Sequence, residues 1–147
     1  MIREISEHDA SDMAELIKQL SPSDVNITGN MVDRIRAKIA DIAVLDHMKI
    51  FGYDQDARIV GTCTLGRIEG LSNECRPFAV IENVIVLESA QSQGIGKQLV
   101  CHAISQAQQW GCYKVILETG RQDEWKLRFY ETCGLTRGSK TAFIKRF

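Results

Sequence analysis

No stretch of this 147-residue chain approaches the roughly 18 consecutive apolar residues that cross a bilayer. Its first residues, MIREISEHDA, are charged and hold no apolar core of the kind a secretory signal needs, so a cytoplasmic protein is expected. Neither charge sign dominates: 18 Lys and Arg stand against 19 Asp and Glu, a formal net charge of −1. That balance argues against general nucleic-acid or membrane-surface binding, while leaving room for a local basic pocket. No CxxC pair occurs, and the five cysteines (Cys63, Cys75, Cys101, Cys112, Cys133) are odd in number. A disulfide framework or a zinc site is therefore not expected, and reduced thiols fit better. Cys101, on a helical segment, and Cys112, just before a strand, read as small buried hydrophobes. Proline is scarce, at Pro22 and Pro77 only, and no repeat, low-complexity tract or linker breaks the chain. What is present is 44% apolar residues, enough for the core of one domain spanning 1–147.

The hydrophobic period changes along the chain. A short strand is expected over Ile2 to Ile5, and Ser6-Glu7-His8-Asp9 can cap a helix running to Leu20. Met13, Leu16, Ile17 and Leu20 fall at helical spacing, and a second helix is expected from Met31 to Ala40. His47 to Tyr53 and Arg58 to Ile68 read as an antiparallel hairpin turning at Asp54-Gln55-Asp56. FAVIENVIVL, Phe78 to Leu87, is apolar on both faces, as a central strand would be. A helix from Lys97 to Trp110 carries Leu99, Val100, Ala103, Ile104, Ala107 and Trp110 as one stripe. A strand Tyr113 to Glu118, a helix Trp125 to Cys133 and a closing strand Thr141 to Phe147 follow. The order strand, helix, helix, three strands, helix, strand, helix, strand predicts an α/β mixed sheet with a right-handed parallel crossover after the third of those strands.

Between that apolar strand and the next helix stands Gln91-Ser92-Gln93-Gly94-Ile95-Gly96. A helix N-terminus offers unpaired amides and the positive end of the helix dipole, so the turn suits a phosphate. Gly94 and Gly96 would let phosphate oxygens approach the backbone. A plain tight turn explains the glycines as readily. The dinucleotide fingerprint and the P-loop both fit poorly, since only GxG and Gly96-Lys97 echo them.

QSQGIG, followed after one helix and one strand by Phe129-Tyr130-Glu131-Thr132-Cys133-Gly134-Leu135, resembles the GNAT superfamily of acetyl-CoA-dependent N-acetyltransferases. The first motif matches the family's (Q/R)-x-x-G-x-(G/A), and the second its FYxxxGF with Leu135 for the last Phe. The resemblance is detailed from Ile81 to Leu135. It implies a sheet whose central strands splay, and acetyl-CoA as co-substrate with no metal. The turn around Gln91, Gln93, Gly94, Ile95, Gly96 and Lys97 would wrap the coenzyme A diphosphate. The pantetheine arm would pair with the backbone of Val84, Ile85 and Val86 as an added strand. It also implies Tyr130 as the general acid facing the sulfur, and a homodimer. Asp123 and Lys126 stand where the family carries Asn and a small residue, which puts a side-chain contact from Asp123 in doubt.

Acetyl transfer to an amine needs a base, because a free alkylammonium has a pKa near 10. Glu82, by alternation, shares a face with Val80, Val84 and Val86. A carboxylate among valines would be buried and pushed up, which makes it the candidate base; a solvent-exposed or Arg-tied glutamate is the plainer reading. Asn83 falls on the opposite face. A central-strand amide near Val84 or Ile85 would stabilise the oxyanion. His8, His47 and His102 do not cluster, and Trp110 and Trp125 read as core or interface. Candidates for the acceptor pocket are residues 21–30 together with Arg121, Arg128, Arg137 and Lys140, although solvated surface arginines are the plainer reading. The expected acceptor is a small primary amine. IENVIV, CYKVILE and FYETCGL also look like glucosamine-6-phosphate N-acetyltransferases. A peptide acetyltransferase and an acyl-CoA-binding module without turnover complete the alternatives.

Overall fold

The computed structural model describes residues 1–22, 29–120 and 122–147. Its elements are β1 (Ile2–Glu4), α1 (Ala10–Leu20), α2 (Gly29–Ala43), β2 (Met48–Gln55), β3 (Arg58–Ile68), β4 (Phe78–Val86), α3 (Ile95–Gln109), β5 (Val115–Leu117) and α4 (Glu124–Thr132). The strands form one sheet in the order β1-β2-β3-β4-β5, antiparallel throughout except for the parallel pair β4–β5. This is the mixed sheet expected, with α3 as the crossover. No helix among the described residues is long and apolar enough to cross a membrane.

Entry into α1 is fixed by charge. Arg3 donates two hydrogen bonds to Asp9 at 2.8 Å and a third to Asp54 at 2.9 Å, tying β1 to β2 and to the first turn of the helix. The Ser6 N–H and hydroxyl also donate to Asp9, at 2.7 and 2.9 Å. The Arg3 guanidinium, helped by Ser6 and opposed by burial, holds the Asp9 carboxyl down to about 2. The β2–β3 turn needs positive φ at both central residues, and Asp56 (54°) and Ala57 (63°) supply it.

α3 lies across the face of β3 that carries Gly61 and Cys63. A Cβ on Gly61 would stand 3.1 Å from Ile95 and 3.2 Å from Leu99, and the Cys63 thiol donates to the Leu99 carbonyl. α1 and α2 pack on each other and on β3 and β2. Leu16, Phe51, Ile59, Leu65, Ile81, Leu99 and Val100 are fully buried between these layers. Each removes enough apolar surface to contribute about 2 kcal/mol.

One expectation fails at the end of the chain. Thr141 to Phe147 forms no strand, and Phe143, Ile144 and Phe147 are exposed. Its alternating apolar residues permit an extended chain but supply no partner. β4 keeps hydrogen-bonded neighbours on both sides, with the three residues of β5 outside it. Cys101 is exposed and Cys112 half-buried, because the buried stripe of α3 is Leu99, Val100, Ala103 and Ala107 and Cys101 falls outside it. Trp125 is likewise exposed, while Trp110 is half-buried with the Arg67 guanidinium over its ring.

Candidate functional site

β4 and β5 are paired only over Ala79–Ile81 and Val115–Leu117. Beyond Ile81, β4 has no strand on that side among the described residues, so its edge from Glu82 to Val86 is left open. This is the splay expected of the fold.

A single extra residue shapes that edge. Thr64 is opposite Glu82, but Thr62 is opposite Ile85, so β4 holds two residues where β3 holds one. Asn83 takes the left-handed conformation, φ 53°, that makes this bulge. The bulge reverses the alternation. Before it, Ile81 opposes Leu65 on the α3 face; after it, Val86 opposes Gly61 on that same face. Glu82 therefore does not share a face with Val84 and Val86, as strict alternation predicts; Val80 remains on its side. Nor is Glu82 buried among valines: it is exposed. Asn83 is the bulge residue itself. Asparagine tolerates this conformation better than most residues, which was the available signal.

Tyr130 stands in the last turn of α4, half-buried, with the Phe129 ring 5.0 Å away. Burial, then Cys133 and the Glu82 carboxylate, push its phenol above the ordinary value of 10.0. The hydroxyl is thereby kept as a proton donor. The effect of Glu82 on Tyr130 also brings both expected catalytic residues into one electrostatic neighbourhood.

The turn after β4 is a short 3₁₀ segment, Glu88–Ala90, followed by Gln91–Gly94. Ser92 (φ 63°) and Gly94 (φ 76°) are left-handed, and Gly94 is the N-cap of α3. No side chain caps the helix there. The first intrahelical bond runs from the Gln98 N–H to the Gly94 carbonyl at 3.1 Å. The amides of Ile95, Gly96 and Lys97 precede that bond, at the positive end of a 15-residue helix. The two glycines have separate reasons. Gly94 serves the positive φ. Gly96 serves packing: a Cβ there would stand 3.2 Å from Phe129 Cζ. Gln93 is exposed and borders an open cavity of about 270 Å³ that also touches Arg58, Val60 and Ser89.

Two other groups bear on the site. The Val86 carbonyl accepts from Gln91 Nε2 and from Gln19 Nε2, each at 3.0 Å, and Gln19 was not legible in the sequence. Arg137 and Arg128 hold the Glu124 carboxyl down to about 2, and Arg137 also pairs with Glu131. Both arginines are thus engaged along α4 rather than converging on a pocket. Lys140 is exposed near Tyr113. Arg121 and residues 23–28 of the expected acceptor loop lie outside the described residues. Among the described residues no cluster of His, Cys, Asp and Glu could hold a metal. Burial pushes the Cys63 thiol up to about 12 and the Cys133 thiol upward, which makes both poor nucleophiles.

A model of the acetyltransferase (GNAT) family matches residues 14–135. The glucosamine 6-phosphate N-acetyltransferase of Trypanosoma brucei brucei is 31% identical over 137 residues, 90% of this chain and 86% of that protein. A protein assigned as an acetyltransferase in Agrobacterium tumefaciens str. C58 superposes with a TM-score of 0.91 at 35% identity, over 100% of this chain and 99% of its own. The glucosamine-6-phosphate N-acetyltransferase of Arabidopsis thaliana superposes with a TM-score of 0.83 at 24% identity, over 100% and 97%. At that identity it speaks for the fold alone.

Proposed function

The chain belongs to the acetyltransferase (GNAT) family and is an acyltransferase; from that premise we propose that it moves acetyl from acetyl-CoA to a primary amine of a small molecule, by direct attack in a ternary complex. The observation that carries this reading is the pairing of an uncapped α3 N-terminus with an unpaired edge of β4. The diphosphate binds the amides of Gly94 to Lys97, with Gln91 and Gln93 beside them. The pantetheine arm lies along Val84, Ile85 and Val86 and delivers the thioester toward Tyr130. Lys97 adds a positive charge near the diphosphate.

In the reaction, Glu82 takes a proton from the acceptor ammonium. Its exposed position suits a relay through water. The free amine attacks the thioester carbonyl. The bulge supports an oxyanion site, since it releases main-chain groups at Asn83 and Val84 from the β3 ladder. Collapse breaks the carbon–sulfur bond, and Tyr130 protonates the leaving thiolate. The products are an N-acetyl amide, coenzyme A and one released proton. No cysteine carries the acyl group.

Amino-sugar phosphates are the acceptors that the T. brucei relative's name favours. Turnover against a panel of amines tests this, with glucosamine 6-phosphate, free amino acids, polyamines and a lysine peptide as members. Acetylation of a small amine supports the reading; acetylation of the peptide alone overturns the small-molecule half. Acetyl-CoA binding without turnover of any amine overturns the enzymatic half. A homodimer belongs to the same reading, supported by the exposed Trp125, Phe143 and Ile144. Sedimentation at a monomer mass across the micromolar range would remove it.

A further inference from the structure

Gln19 lies in the last turn of α1, 67 residues from the turn it touches. Its Nε2 donates to the Val86 carbonyl at 3.0 Å, and its Oε1 accepts from the Glu88 N–H at 3.1 Å. Val86 is the last residue of β4, and Glu88 opens the segment that leads to Gln91–Gly96. One side chain therefore spans the joint where strand becomes turn. Gln91 Nε2 meets the same carbonyl from within the turn, at 3.0 Å. The geometry uses both halves of the Gln19 amide. Glutamate would keep the acceptor and lose the donor, and asparagine is one methylene too short.

We infer that Gln19 is a positioning residue for coenzyme A. It fixes the spacing between the open edge of β4, which receives the pantetheine arm, and the α3 amides, which receive the diphosphate. Both parts of one ligand then meet sites already at the right separation. The inference rests on the acetyl-CoA reading above. The bond from the exposed Glu88 is open to water, and the bond to the Val86 carbonyl is part-buried at the start of a surface turn. Their loss therefore leaves the fold standing and falls instead on the order of the turn before the ligand arrives.

The test is calorimetry with coenzyme A on the wild-type chain, Gln19→Ala, Gln19→Glu and the exposed neighbour Lys18→Ala. Gln19→Ala, which loses both hydrogen bonds, is expected to weaken binding by about tenfold, and Gln19→Glu, which loses the bond to the Val86 carbonyl and sets a carboxylate against it, by at least about threefold. Lys18→Ala should bind like wild type. At saturating acetyl-CoA, kcat of the Gln19 variants should stay within about threefold while KM for acetyl-CoA rises, a split that a merely structural residue would not give. Exchange of the Glu88 amide should quicken in Gln19→Ala. Should that variant fail to fold, Gln19→Glu, of the same size and shape, carries the readout alone. Wild-type affinity in Gln19→Glu or Gln19→Ala overturns the inference and leaves the acetyl-CoA reading intact. Absence of binding by the wild-type chain itself overturns that reading, and the inference with it.

Discussion

Tyr130 can act as an acid only while it holds its proton, and its surroundings favour that state. Burial and the neighbouring Glu82 carboxylate both raise the phenol pKa. Tyr130→Phe keeps the packing against Phe129 and removes the donor. The expected result in steady-state kinetics is a loss in kcat on the order of 100-fold with little change in coenzyme A affinity. An undiminished kcat would assign the hydroxyl a packing role. Activity of the native chain should also fall as pH rises through the Tyr130 value, above 10, provided the fold survives there. Gly94 is a different kind of residue, required by backbone geometry. At φ 76° an alanine Cβ is strained, so Gly94→Ala should lose about 1 kcal/mol in urea unfolding. Open space around that Cβ means the loss comes from conformation and not from a clash.

β1, the start of α1 and β2 depend on one buried carboxylate. The folded value of Asp9 is about 2 against 3.8 unperturbed, so it is depressed on folding. A depressed acid stabilises the fold above its unfolded value and withdraws that stability as pH falls through the folded one. The contribution, about 2 kcal/mol, should therefore be complete above pH 4 and lost between about pH 4 and pH 2. Denaturant titrations of wild type and Asp9→Asn across that range check it: the difference between the two should shrink as pH falls. A difference constant with pH would mean that the Arg3 pair contributes nothing through charge. The elements also show what was legible beforehand. Periodicity located α1, α3, β3 and β4 within a few residues, and QSQGIG marked the strand-to-helix turn. Alternation along β4 could not reveal the bulge at Asn83, because one inserted residue changes the facing of those after it without altering composition. Strict alternation therefore puts Val84 and Val86, past the insertion, on the face of Glu82, where they do not lie. The last seven residues read as a strand from their own pattern, but a strand needs a partner, and local sequence carries none. Gln19 escaped notice for the opposite reason: its partners are distant main-chain groups, which leave no trace in residue type.

Across the whole molecule, both halves of the chain contribute to the proposed coenzyme A site. The N-terminal half supplies α1 with Gln19 and the β3 edge that sets the bulge; the C-terminal half supplies β4, the α3 turn and Tyr130. A ligand that binds the native state alone should stabilise it by mass action. Coenzyme A at 100 times its Kd is expected to add about 2.7 kcal/mol, read as a rise in Tm of several degrees. The central claim is narrower, and concerns which atoms hold the diphosphate. A crystal structure of the chain with coenzyme A tests it most directly. The diphosphate oxygens should lie about 3 Å from the main-chain nitrogens of Gly94 to Lys97, with the pantetheine alongside Val84 to Val86. A diphosphate held elsewhere, or by side chains alone with those nitrogens left to water, would contradict the account.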